Sequence, residues 1–397
     1  MTHMAYQHHW DYHPGTRYVT EWTTTARLLK RIDAWRGLIG RTIEPNPFYE
    51  PEFLVSSARH LEGRDIRCLA VFRDGAQDAP MIGLFPIQHA SMLKGALLPA
   101  IEFYRNAYVC LTTPLIDRSD PDGIWGAFFD SFRTSPELPG TLLTHLLPAR
   151  RPAAEALMRT IAERALPMAE FDRFARPAVE NLTDYNSYAA AFGTKRLKDI
   201  RRRARRLAER GTVAMRTVSD PVEKLTVLDD FLRIEASGWK AKAGTALACK
   251  PETRAFAEEI FMQPSCEIDV LTLDGTTIAA VANIVRDGVL YSIKTAYDEA
   301  YHAYSPGTRL DLWALGSLSR HKDRYTRIDS CAIAGHPIGA LWRQREELVS
   351  LAIGTSPDTS QARVDSTASL IRSFNRLKGW VKEQIADKKP SQRDAED

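Results

Sequence analysis

The densest chemistry in the chain lies in YSIKTAYDEAYHAYSPGTRLDLW, residues 291–313. It opens as a strand, with Ile293, Thr295 and Tyr297 on one face and Ser292, Lys294, Ala296 and Asp298 on the other. Lys294 and Asp298 share a face, yet four strand residues hold them roughly 13 Å apart, too far to pair unless the strand bends. Ser305 then reads as a helix N-cap, Pro306 as the first helical residue and Gly307 as room for close backbone approach. Leu310, Trp313, Ala314 and Leu318 give that helix a buried face. A strand that hands over to a helix N-terminus presents free N–H groups and a positive dipole end, which suits an anion. A plain capped helix start has the same spacing, so the residues leave both readings open.

A second cluster follows in RYTRIDSCAIAGHPIGALWRQRE (324–346), where Asp329, Ser330, Cys331 and His336 gather at a strand end. His336 is a candidate general base; Cys331 with His336 could form a thiol nucleophile, but no orienting group accompanies them. GTKRLKDIRRRARRLAERG (193–211) is the most basic stretch. Leu197, Ile200, Ala204 and Leu207 recur at helical spacing and should dock, leaving Lys195, Arg201, Arg202, Arg205 and Arg206 toward solvent. That patch suits a phosphorylated cofactor, a carrier protein or anionic lipid, or is simply a solvated face. Nucleic acid is disfavoured because no aromatics interleave the charges. SGWKAKAGTAL (237–247) places Trp239, Lys240, Lys242 and Gly244 after a periodic helix, PVEKLTVLDDFLRIEA (221–236), as a substrate rim or a packed plug. His3, His8, His9 and His13 lack ligand spacing, and no metal is expected.

These segments need a scaffold, and the chain is long enough for two cores at 397 residues. A net charge of +3 is too mild to argue for nucleic acid by itself. Five scattered cysteines without a Cys-x-x-Cys indicate a reducing compartment, and no signal peptide or 18-residue apolar run is present, so a cytoplasmic location is expected. Two β-meanders stand out. IRCLAVFRDG (66–75) leads to APMIGLFPIQHA (79–90), and EIDVLTLDG (267–275) leads through TTIAAVANIVRDG to VLYSIKTAYDE (289–299). Asp74-Gly75 and Asp274-Gly275 are hairpin turns in this reading. Each meander is preceded by a helix and followed by strand, helix and strand, which indicates a degenerate tandem repeat of one α/β unit with its junction near 175–187. After a polar linker, 356–365, an amphipathic helix over 369–385 carries Leu370, Phe374, Leu377 and Val381 on one face. Arg372, Arg376, Lys378 and Lys382 occupy its other positions, so it packs on protein or lies on an anionic membrane.

Over roughly residues 183–350 the order KRLKDIRRRARRLAERG, WKAKAGTAL, IKTAYDEAYHAYSPG, IDSCAIAGHP, LWRQR resembles the FemAB-like, CelD-type branch of the GNAT acyltransferase superfamily. The resemblance implies an α/β (α+β) fold of two tandem GNAT-like domains, each a mixed twisted sheet flanked by helices. They would be 15–178, degenerate and acceptor-side, and 179–355, the acyltransferase domain, with 356–397 as linker, basic helix and tail. It implies acyl-CoA or acetyl-CoA as co-substrate, its pantetheine between the strands ending at Asp298 and running through Asp329, and its pyrophosphate at the 305–307 helix start. Cofactor contacts would come from Ala296, Tyr297, Tyr304, Ser305, Gly307, Thr308 and Arg309. Catalytic candidates are Lys294, Asp298, Asp329 and His336; substrate contacts are Trp239, Lys240, Glu299 and Trp342. The acceptor would be an amine on a sugar, polysaccharide precursor or amino lipid of the cell envelope, met at the inner membrane face. An acyl-carrier protein, an aminoacyl-tRNA donor and a non-catalytic accessory role in polysaccharide assembly stay open.

Overall fold

In the computed structural model, residues 10–12, 18–73, 79–93, 96–356 and 358–387 are described; the Asp74-Gly75 turn and His3, His8, His9 and His13 lie outside them. The first-half strands are β1 (Trp10–Tyr12), β2 (Tyr18–Thr24), β3 (Arg67–Arg73), β4 (Met81–Leu93), β5 (Ala96–Phe103), β6 (Leu115–Ile116), β7 (Thr141–Pro148) and β8 (Met168–Glu180). The second half supplies β9 (Val213–Val218), β10 (Cys266–Leu273), β11 (Thr276–Arg286), β12 (Val289–Tyr297), β13 (Arg327–Asp329) and β14 (Arg345–Gly354). All join one mixed sheet in the order β1-β2-β3-β4-β5-β7-β14-β8-β13-β12-β11-β10-β9, with β6 on β4. Helices flank it.

Two features of this order position the site. The halves exchange their last strands: β14 lies between β7 and β8, while β8 pairs with β13. The expected junction at 178/179 therefore lies inside a strand that both halves share. Among the described residues only β5–β7 and β12–β13 are parallel pairs, and each is short, ending at Glu102–Leu143 and at Tyr291–Asp329. Past Tyr291, β12 runs on to Tyr297 without β13 beside it.

Asp274-Gly275 and Asp287-Gly288 all have positive φ, which closes the tight turns of the β10–β11–β12 meander. One face of the first half packs under helices Pro121–Asp130 and Pro152–Glu163, with Trp125 and Phe128 against Phe85 and Phe103. A larger core spans both halves, where Phe53 meets Phe256 at 5.4 Å and Phe48 meets Tyr291 at 5.7 Å, edge to face.

The tail helix, Gln361–Asp387, begins inside the expected linker. Its docked face is Val364, Ala368 and Ile371, not the expected Leu370, Phe374 and Leu377. Leu370 and Leu377 face solvent, Phe374 is half-buried, and the side chains of Val381 and Lys382 lie outside the described residues. Both apolar sets have helical spacing, so periodicity alone could not rank them; small alanines on β4, β5 and β14 accept the Val364 set at close range. No helix among the described residues is long and apolar enough to cross a membrane.

Candidate functional site

A cleft of about 830 Å³ opens where β12 loses β13 as its neighbour. Its floor is the exposed edge of β12, from Ser292 to Thr295 and again at Tyr297. Strict strand alternation would have put only every second residue there. Ile293 is an extra residue opposite β11, since Ala282 pairs with Lys294 and Asn283 with Ser292. This bulge re-aims the chain so that four consecutive residues reach the cleft. Ala296, expected at the cofactor, is instead buried in the core beneath.

The far end of the cleft is the N-terminus of the helix Pro306–Arg320, which Ser305, Pro306, Gly307 and Thr308 bring to the lining. Ser305 occupies the N-cap position, but its backbone is left-handed (φ 51°) and its hydroxyl does not cap the helix. The hydroxyl instead accepts a hydrogen bond from Arg203 Nη1 at 2.8 Å. Arg203 in turn pairs with Asp199 at 2.8 Å, so the basic helix Thr194–Ala208 is strapped across the helix start. Leu207 is buried and Leu197, Ile200 and Ala204 are half-buried, while Lys195, Arg201, Arg202, Arg205 and Arg206 are exposed, which matches the predicted faces. Arg196 and Arg203, which the helical wheel did not single out, line the cleft. Arg309 also lines it; its Nε and Nη1 are enclosed without a hydrogen-bond partner, and burial lowers its pKa.

The near end is organised by Glu235, a residue the sequence did not flag. Its side chain is fully buried, and Oε1 stands 3.3 Å from both Lys240 Nζ and Lys294 Nζ. Oε2 accepts from the backbone N–H of Leu247 at 2.8 Å. Lys294 also lies over the Tyr108 ring at 5.5 Å, which ties the first half to the cleft. Burial lowers the Lys240 pKa against the pull of Glu235. Both lysines are thus anchored on one carboxylate.

Several other candidates are engaged elsewhere in the fold. Asp298 accepts from the Ala300 N–H and caps the turn Glu299–Tyr304. Glu299 sits in a side crevice with Gly238 and Glu235. Asp329 does not reach the cleft: it is wholly buried against Arg176, at 2.7 Å, and Arg327, at 3.1 Å. Trp342 is buried, and its Nε1 donates to the Asp311 carbonyl at 3.1 Å. The Trp239 side chain lies outside the described residues. Tyr304 lines the cleft beside His302. Burial pushes the Cys331 thiol well up, which removes it as a thiolate nucleophile.

His336 lines the cleft, but its Nδ1 accepts from the Ile338 N–H at 3.3 Å. Burial and the charge of Lys240 lower its pKa, and with Nδ1 accepting, the proton of the neutral ring sits on Nε2. Asp311, half-buried and one turn beyond Thr308 on the same helix face, also lines the cleft. Burial pushes its carboxyl up to about 7. Its signal in the sequence was the three-residue spacing from Thr308. Among the described residues, no group of three or more histidine, cysteine or acidic side chains is placed to hold a metal.

Residues 194–334 match the family described as acetyltransferase (GNAT) domain, and this span contains the cleft's β12 edge and the helix start. Among solved structures, a conserved protein of unknown function from Bacteroides thetaiotaomicron VPI-5482 superposes with a TM-score of 0.52 at 11% identity, over 81% of this chain and 97% of its own. FemX superposes at 0.51 and 10% identity, over 80% of this chain and 95% of its own. No curated protein matches the chain in sequence. At such identities these likenesses speak for the fold, and with the family match they lead to one statement: residues 194–334 are similar to the GNAT acetyltransferase domain family, in a chain that shares its fold with FemX.

Proposed function

We propose that the cleft transfers an acyl group from a pantetheine thioester, acyl-CoA in the simplest case, to an amine. The observation that carries this reading is the unpaired edge of β12, running from Ser292 toward a helix N-terminus across an 830 Å³ cleft. An extended amide-bearing arm can pair with that edge as an added strand would. The backbone N–H groups of Gly307 and Thr308, with Arg309 and Arg203, offer donors and charge for the pyrophosphate.

In the reaction, the neutral amine nitrogen attacks the thioester carbonyl, the C–S bond breaks, and the departing thiolate takes up a proton from solvent or from the protonated Asp311 to leave as the thiol. Asp311 takes the proton from the attacking nitrogen, and the His336 Nε2–H is the neutral donor available to developing charge. The fixed charges of Lys240 and Lys294 suit an acceptor that carries an anionic group. We assign the acceptor to the cell envelope, as a sugar, polysaccharide precursor or amino lipid, and the acceptor side to the unit 15–178, whose Tyr108 meets Lys294. The unit 179–355 holds the donor. The exposed cations of the basic helix favour a second form of donor, an acidic acyl-carrier protein.

Thiol release measured with a panel of acyl-CoAs and amine acceptors tests the reading. Release that requires an amine is expected. No release with any acyl-CoA, amine present, counts against it.

A further inference from the structure

The tail helix Gln361–Asp387 has two apolar faces, and the fold uses one. Val364, Ala368 and Ile371 are buried on the first-half sheet. On the opposite side Leu370, Leu377 and Trp380 stand 49%, 57% and 58% exposed. At about 100° per residue, Leu370 and Leu377 lie within about 20° of each other and Trp380 about 60° further round. Arg376, about 40° round from Trp380, borders the stripe, and between Asp365 and Glu383 the sequence holds Arg372, Arg376, Lys378 and Lys382 and no acid. Arg376 pairs with no carboxylate among the described residues, and Arg372 donates to the Glu170 carbonyl, which leaves its charge uncancelled.

We propose that this outward face docks the protein on an anionic lipid surface. A tryptophan and two leucines flanked by arginine and lysine match the boundary between acyl chains and negative headgroups. A second copy fits poorly. The exposed apolar area is on the order of 300 Å², against roughly 800 Å² per partner in a stable dimer. A two-fold contact would also bring the same cations face to face. The inference rests on this surface alone and would stand if the acyl-transfer reading fell.

The test is co-sedimentation of the full chain with vesicles of phosphatidylcholine alone or mixed with phosphatidylglycerol. Partition onto the anionic vesicles should be stronger by at least about tenfold and should fall as salt rises. Leu377→Glu with Trp380→Glu should abolish it, and Arg376→Glu should weaken it about tenfold, since each basic residue near such a surface counts singly. All three positions are exposed, so the thermal midpoint should not move. Equal or absent sedimentation on both vesicle types overturns the proposal. So does a dimer in solution that Leu377→Glu dissociates while vesicles bind nothing, which would make a second copy the occupant.

Discussion

Asp329→Asn is expected to cost about 3–5 kcal/mol of folding stability, the usual loss when one partner of a buried ion pair is removed. The side chain sits between β8 and β13, where the halves exchange strands. Arg176 Nη2 hydrogen-bonds Oδ2 at 2.9 Å, Arg176 Nε stands 2.7 Å from Oδ1, and the Cys331 N–H bonds Oδ1 at 3.0 Å. Asparagine keeps the shape but leaves Arg176, itself 1% exposed, as an uncompensated charge. Arg327 is spared the worst, because Glu346 also pairs with it. Burial alone would raise the Asp329 pKa; Arg176 and Arg327 outweigh it and hold the carboxyl below its ordinary value. Its stabilising contribution is therefore present at neutral pH and lost as pH falls through that lowered value. Urea unfolding of the wild type, Asp329→Asn and the double variant Arg176→Met/Asp329→Leu measures the effect. The double variant should recover part of the loss. An Asp329→Asn protein as stable as the wild type would show that the pair does not hold the exchanged strands.

Asp311→Asn is expected to lower kcat by about 10²- to 10⁴-fold with the best acceptor found, the usual span for a lost general base. The pH profile separates this from mere disturbance of the helix. With a carboxyl at about 7, wild-type kcat/KM should rise with pH up to that value, and the limb should vanish in the variant. The same shift has a stability signature of opposite sign to that of Asp329. A folded carboxyl that holds its proton up to about 7 makes the wild type less stable as pH rises from the ordinary aspartate range toward neutrality. Asp311→Asn should therefore stabilise the protein at pH 8 and be nearly neutral at pH 4. An unchanged acid limb in the variant assigns the proton to another group.

The strand-to-helix handover at 289–320 was legible because its parts are local: alternating residues, an Asp-Gly turn, and Pro306-Gly307 after Ser305. So was the docked side of the basic helix, set by Leu207 and its neighbours at helical spacing. The bulge at Ile293 was not, since one extra residue in a strand leaves no mark until its partner is known. Pairings across long stretches were equally hidden. Arg176 and Asp329 lie 153 residues apart, and a buried aspartate near a histidine reads as catalytic until its arginine is found. Glu235 looked like one more polar position on an amphipathic helix, yet it fixes both lysines of the cleft. His336 was found by type, but its tautomer was hidden because it depends on a backbone N–H two residues away.

The central claim is that the β12 edge and the helix start at 305–308 form a donor site. Gly307 offers the sharpest probe: a Cβ there would meet nothing nearer than Tyr297 Cδ1 at 3.9 Å, so a larger residue fits the fold and fills the cleft. Calorimetric titration of a panel of acyl-CoAs into the wild type and Gly307→Trp, with thermal midpoints recorded for both, is the most direct measurement. Saturable binding by the wild type, weakened at least about a hundredfold in the variant (~2.7 kcal/mol) with the midpoint unmoved, is the predicted result. Binding to Gly307→Trp as tight as to the wild type, or no binding of any acyl-CoA to the wild type, would contradict the account.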